Sequence, residues 1–246
     1  MDQSVLNIAS YRFVTLDALE DLRIAIRDAA EAATLRGTVL LAEEGINLFL
    51  AGAPEAVRGF LAWLERDPRL AGLTIKESWS AEQPFKRLRV KIKREIIRMD
   101  HPAIRPEAGR APTVSPETLE RWLDAGVDDA GRPVVMLDTR NAFEVDFGRF
   151  RGTIDWRIEK FTEFPAALEA NRDALAGKTV VSYCTGGIRC EKAALLAHEQ
   201  GIDNVVQLEG GILAYFERTQ SRHFEGACFV FDEREALDPA LRATRA

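Results

Sequence analysis

Cys184 and Arg189 are the side chains best suited to chemistry, and four residues separate them: Thr185, Gly186, Gly187 and Ile188. A thiol attacks only as its thiolate, and a free cysteine, with a pKa of about 8.5, is mostly protonated at neutral pH. A tight loop folded over the sulfur can aim backbone N–H groups at it. The start of a following helix adds partial positive charge, and Arg189 adds a full one. All three effects favour the anion. Gly186 and Gly187 let the backbone pass close to the sulfur without a Cβ in the way. Cys190 comes next and is open to two readings: a thiol that resolves an oxidised Cys184, or an inert residue of the first helical turn. A buried structural cysteine before an ordinary turn is the plain alternative for Cys184 itself.

The flanking elements must hold this loop. Val180 and Val181 open a short apolar run with the β-branching of a buried strand. Good helix formers run from Cys190 to Ala197, and Gly201 is a plausible stop. Upstream, Val134–Leu137 predicts a strand ending at Asp138-Thr139-Arg140. As the end of a neighbouring parallel strand, Asp138 and Arg140 are placed to support the loop. Asp138 is expected to make an ion pair or a hydrogen bond to the loop backbone. A short helix at 143–145, a helix over 161–175 interrupted near Pro165, a strand at 205–208 and a helix from Gly210-Gly211 to Phe216 complete the pattern. Strands alternating with helices predict a parallel sheet covered on both faces, with Cys184 at the carboxyl end of its strand, where such sheets bind ligands. Cys228 lies among apolar residues and reads as packed.

Residues 1–98 predict a separate domain. Strands at 11–15, 38–42, 46–50 and 73–77 and helices at 19–35 and 54–65, with Asp17 as a candidate N-cap, give the order β-α-β-β-α-β of a ferredoxin-like α+β domain. Beyond it, Arg87, Arg89, Lys91 and Lys93 alternate with Leu88, Val90 and Ile92, which predicts a strand with one apolar and one cationic face. Alternate cations stand about 7 Å apart, close to the spacing of neighbouring phosphates. A nucleic-acid face and a charge-guarded sheet edge are both consistent with this pattern. The proline-containing stretch 99–116 reads as a linker, 117–225 as the cysteine-bearing domain and 226–246 as a tail.

Composition narrows the classes. The chain has 246 residues, 46% hydrophobic and 29% charged, with a net charge of −6. It contains no apolar run of membrane-spanning length. The first ten residues lack a basic, then apolar, leader, and three cysteines are too few for a disulfide framework, so a cytoplasmic protein is expected. Three cysteines and three histidines in no ligand spacing predict no metal site. No glycine-rich fingerprint for a flavin or nicotinamide is present.

Cys184-x-x-Gly187-x-Arg189, with four intervening residues where the related cysteine phosphatases have five, resembles the active-site loop of rhodaneses. Asp138-Thr-Arg140-Asn141-x-x-Glu144-x-x-x-Gly148 and Glu209-Gly-Gly-Ile212 resemble two further rhodanese motifs, although Gly148-Arg149-Phe150 stands where Gly-His-Ile is usual. Together with Leu41-Ala-Glu-Glu-Gly-Ile-Asn47, the basic strand and Phe229-Val-Phe-Asp-Glu-Arg234, the chain is similar over nearly its whole length to the bacterial tRNA uridine hydroxylases. That resemblance implies oxygen-dependent conversion of the wobble uridine of tRNA to 5-hydroxyuridine, with molecular oxygen and an electron donor of unknown identity as co-reactants. It implies Cys184 and Arg189 as catalytic residues, the anticodon arm as partner, and Arg87, Arg89, Lys91 and Lys93 as RNA contacts. The long form of that family carries a cysteine-rich tail after the Phe229–Arg234 segment; none follows here, so no metal function of that tail is carried over. Rhodanese ancestry implies a second activity, sulfur transfer through a Cys184 persulfide.

Overall fold

The computed structural model describes residues 4–244. Two units are formed, Met1–Arg98 with Phe231–Arg234, and Met99–Val230 with Glu235–Ala246. The expectations on the first three and last two residues lie outside the described residues.

The first unit runs β1 (Val5–Phe13), α1 (Leu19–Ala32), β2 (Arg36–Ala42), β3 (Gly45–Gly52), α2 (Pro54–Leu64), β4 (Lys76–Ser80) and β5 (Leu88–Ile92). Its sheet has the order β4-β1-β3-β2-β5. β1 is antiparallel to β3 and β4, β2 is antiparallel to β3, and β5 joins β2 in parallel. The ferredoxin-like arrangement is therefore present, with β5 added at its edge. Leu6 and Ile8 of β1, Val39 and Leu41 of β2, and Leu48 and Leu50 of β3 bury with Ile26 and Ala30 of α1 and Val57 and Phe60 of α2. The alternate spacing on strands and the three- and four-residue spacing on helices give each element one apolar side.

Three local expectations are corrected. The strand read at 73–77 lies at Lys76–Ser80, because pairing with β1 fixes it, Ala9 facing Lys76 and Val5 facing Ser80. Leu73 is buried in the irregular stretch that precedes the strand instead. The strand read at 11–15 begins at Val5, where the same pairing starts. Asp17 does not cap α1: Ala18 holds that position in a left-handed conformation, and Asp17 pairs with Arg69.

The second unit runs β6 (Thr113–Val114), α3 (Pro116–Ala125), β7 (Val134–Asp138), α4 (Ala142–Val145), β8 (Gly148–Phe150), α5 (Phe164–Asn171), β9 (Thr179–Tyr183), α6 (Ile188–Glu199), β10 (Val205–Leu208), α7 (Gly211–Arg218), β11 (Phe224–Gly226), β12 (Cys228–Phe229) and β13 (Ala236–Leu237). Its central sheet, in the order β6-β10-β9-β7, is parallel throughout. α3 packs with α7 and α5 with α6, so two helix pairs cover it. α3 starts as its sequence dictates, with Ser115 accepting from Thr118 N and Pro116 at the first turn.

Two stretches contribute more than the sequence indicates. Residues 99–116, read as a linker, bury Met99, Ile104 and Ala111 and supply β6. Their prolines stiffen a packed segment instead of marking a loose one. Residues 226–246, read as a tail, supply β12 and β13, while Glu233 N bonds to Pro84 O and Arg234 to Ser78 Oγ within the first unit.

Candidate active site

β9 is buried at every position and stops at Tyr183, which places Cys184 at the carboxyl edge of the sheet. The loop then turns through Thr185, Gly186 and Gly187 into α6, which begins at Ile188, two residues before the start read from sequence. Gly187 precedes α6 with φ +105°, a conformation an L side chain rarely adopts. Gly186 is different: a Cβ there would meet nothing within 4 Å. The turn therefore requires Gly187, whereas Gly186 leaves open space as the only half-buried residue from Cys184 to Cys190.

The sulfur is fully buried and cradled. Gly187 N–H donates to Cys184 Sγ at 3.1 Å. The twelve-residue α6 starts directly beyond, so its free amides face the same region. Burial works against ionisation of Cys184, but it is outweighed by the Cys190 thiol, the Arg189 charge and the amides of residues 190 and 189. Together they hold Cys184 well below the usual thiol range. Cys190 is also fully buried. Its single S–H is within reach of Gly187 O, at 2.9 Å, and of the Cys184 sulfur. Burial and that neighbouring sulfur push Cys190 well above the usual thiol range. Cys228 is buried in β12 and, through loss of solvation, is pushed up to about 12, consistent with a packed thiol.

Arg189 supplies its charge from a fixed mount. Its two terminal nitrogens donate to Glu144 at 2.5 and 2.7 Å, a fork-on-carboxylate pair with both side chains buried. Arg189 Nε is buried without a hydrogen-bond partner among the described residues. Glu144 is the functional residue that sequence reasoning missed as a site residue. It also accepts from Asn141 N at 3.1 Å, and the Asn-x-x-Glu spacing at the start of α4 was the signal for that bond. Nothing local announces its partner 45 residues away.

Asp138 and Arg140 form the second buried pair, with Arg140 Nε and Nη2 donating to the carboxylate at 2.9 and 2.6 Å. Of the two roles expected for Asp138, the ion pair is the one made. Arg140 also donates to Gly148 O at 2.7 Å and Glu144 O at 3.4 Å, so it pins both ends of the segment that carries Glu144. Contact with the backbone leading into the loop falls to Thr139, whose N–H and hydroxyl both donate to Tyr183 O.

The loop has a floor. Ile212 N donates to Cys184 O at 3.0 Å and Leu213 N to Thr185 O at 3.1 Å, both from the start of α7. A Cβ on Gly211 would lie 2.8 Å from Gly187 N and Thr185 O, and closer still to Cys184 O. The Gly-Gly turn seen in the sequence thus exists to let α7 underlie the loop. Thr185 also reaches Phe229 O at 3.5 Å, and Ile188 is buried. The Gly-Arg-Phe departure is a packing solution: Phe150 is fully buried, with ring centroids 4.8 Å from Tyr183 and Tyr215 and 5.3 Å from Phe224.

Arg87, Arg89, Lys91 and Lys93 belong to the first unit. All four are exposed, Arg89 and Lys91 within β5 and Arg87 and Lys93 flanking it. On the opposite face Val90 is buried and Leu88 half-buried, but Ile92 is exposed, so the expected apolar face is only partly covered. None of their side chains has an ion-pair partner among the described residues, whereas Lys86 pairs with Glu233. β5 is also a sheet edge, as the edge-guarding reading of its charge requires. Among the described residues no group of three or more His, Cys, Asp or Glu side chains could hold a metal ion, and no helix is long and apolar enough to cross a membrane.

Comparison with known proteins agrees with this architecture. Residues 5–96 match the family model of the UPF0176 acylphosphatase-like domain, and residues 115–218 match that of the rhodanese-like domain. A Bordetella petrii protein is 67% identical over 238 residues, covering 97% of this chain and 94% of its own length. Its counterpart in Variovorax paradoxus is 64% identical over 244 residues, covering 99% and 93%. One from Bordetella pertussis is 65% identical, covering 97% and 98%. Each of these relatives is named tRNA uridine(34) hydroxylase.

Proposed function

We propose that this chain, which belongs to the tRNA uridine(34) hydroxylase family, adds one oxygen atom at C5 of the wobble uridine of tRNA, using Cys184 as nucleophile. The observation that carries the reading is the 67% identity to a relative of that name across nearly the full length of both chains. The buried, hydrogen-bonded Cys184 thiolate supports the choice of nucleophile.

In this mechanism the thiolate adds to C6 of uracil, and the C5–C6 π electrons move toward the C4 carbonyl. C5 becomes enolate-like and takes oxygen from an oxidant, which is reduced by two electrons. Loss of the C5 proton then expels the thiolate and restores the ring. Dioxygen and a two-electron donor close the balance, with water as the second product. Arg189 and the loop amides hold the sulfur anionic before addition and after expulsion. Cys184 is closed to solvent, so a base must enter by displacing part of its cover; the free space at Gly186 marks the loop position with room to yield. Arg87, Arg89, Lys91 and Lys93 would contact phosphates of the anticodon arm and set its register, leaving base choice to the pocket. The protein would act in the cytoplasm, on its tRNA.

Nucleoside mass spectrometry of tRNA from cells lacking the protein, complemented with wild type or Cys184→Ala, tests this directly. Wild type alone should give a wobble uridine heavier by one oxygen, and only under air. If wild type and deletion strains match, hydroxylation is withdrawn. A second reading is favoured by the match of residues 115–218 to the rhodanese-like model. There the Cys184 thiolate attacks a sulfane sulfur, the donor's remnant leaves with the bonding pair, and the persulfide passes its outer sulfur to a nucleophile. Thiosulfate-to-cyanide transfer assays this activity.

A further inference from the structure

We propose that Cys190 is a positioning residue: a thiol that keeps its proton and, as a hydrogen-bond donor, anchors the loop in the shape that receives the Cys184 thiolate. The proposal rests on the preceding reading only in taking Cys184 as the reacting thiol, which holds for either activity.

Gly187 is the residue on which the cradle turns, and it is held from two sides. Its N–H points at Cys184 Sγ at 3.1 Å, and its carbonyl receives the Cys190 S–H at 2.9 Å. With φ at +105° and no side chain, Gly187 has little stiffness of its own. The same carbonyl also accepts from Glu191 N at 3.2 Å, so the thiol is its second donor. Without the thiol the carbonyl keeps only that longer bond, and the N–H is held less firmly on the sulfur. Gln207 Oε1, at 3.9 Å, is too distant to compete for the Cys190 proton. Both sulfurs are fully buried, so water does not substitute for the donor.

The charged and titratable groups around the pair come from several elements. α6 brings Arg189 and Glu191, α4 brings Glu144, the end of β7 brings Asp138 and Arg140, and β12 brings Cys228. A resolving role needs Cys190 as the attacking thiolate. Its burial beside another sulfur favours the opposite state, a retained proton. A donor that stays protonated while its neighbour ionises fits the observed geometry.

The test separates donor, resolving and inert roles. The ultraviolet absorbance of thiolate is titrated in the full-length protein and in Cys190→Ser, Cys190→Ala and Cys190→Val, and Cys184→Ala identifies the Cys184 step by its loss. Cys228, pushed up to about 12, stays out of that range. Serine retains a donor, so its midpoint should stay near that of wild type. Alanine and valine should raise it by about one pH unit, a tenfold loss of thiolate at a given pH below the midpoint. Valine keeps bulk at the site if alanine fails to fold. Turnover should follow the same order. Equal midpoints in all variants overturn the proposal. So does a serine variant with a normal midpoint but no multiple turnover, which would mean that sulfur itself is required. If wild type does not hydroxylate tRNA yet the midpoints follow the expected pattern, the functional reading falls and the anchor stands.

Discussion

At Cys184 nearby hydrogen-bond donors and the Arg189 charge offset complete burial, and this sets the pH response. The thiolate persists as pH falls from the ordinary thiol range and is lost only through the depressed folded value. A rate limited by this nucleophile should therefore be flat across neutral pH and fall on the acid side. A profile still rising steeply between about pH 8 and 9 would assign the rate to a thiol of ordinary pKa. Glu144→Gln leaves Arg189 charged and buried with its counter-charge gone. The expected loss is about 3–5 kcal/mol of stability, read by urea denaturation. Cys184 and Arg189 were legible because the loop's chemistry is local, six consecutive residues running from the end of a strand into the first turn of a helix. Glu144 was visible only as part of a motif, because its partner is supplied by tertiary folding. Asp138 and Arg140 were legible as the end of a strand beside β9, but sequence could not show that their pairing holds the Glu144 segment.

Among elements, α7 matters more to the site than its place in the chain suggests. Gly211→Ala puts a Cβ against three loop atoms and forces a side chain into φ +66°. The left-handed conformation alone costs about 1–2 kcal/mol. We expect at least a tenfold loss of activity, with the Cys184 midpoint raised, whereas Gly186→Ala, which meets nothing within 4 Å, should fold normally. Retained activity in Gly211→Ala would mean that the loop does not need this floor. Three strands of the second sheet, β7, β9 and β10, were legible from their β-branched runs. The strand at Lys76–Ser80 was not, since Lys-Glu-Ser-Trp-Ser carries little apolar signal and takes its place from β1. β6, two residues long, is likewise defined only by β10.

For the whole molecule, a net charge of −6 coexists with a cationic face on β5, so the sum conceals the distribution. Arg89→Glu with Lys91→Glu should weaken tRNA binding and lower the salt dependence by about one unit for each phosphate no longer neutralised. Both side chains are exposed, so thermal stability should hardly change. Unchanged tRNA affinity with new self-association would assign the charge to guarding a sheet edge. The two-part organisation was legible because each part has its own periodic apolar pattern. The contribution of residues 99–116 and 226–246 was not, because prolines and short strands signal loops whether or not they pack.

The hydrogen bonds from Ile212 and Leu213 to the carbonyls of Cys184 and Thr185 also bear on how the protein is made. The chain emerges from the ribosome amino end first, so Cys184 appears before the residues that fix its loop. Until residue 213 is free to fold, that floor is missing and the sulfur lacks its finished cradle. An incomplete chain thus carries a comparatively unreactive cysteine. Full thiolate character arrives only once α7 has docked.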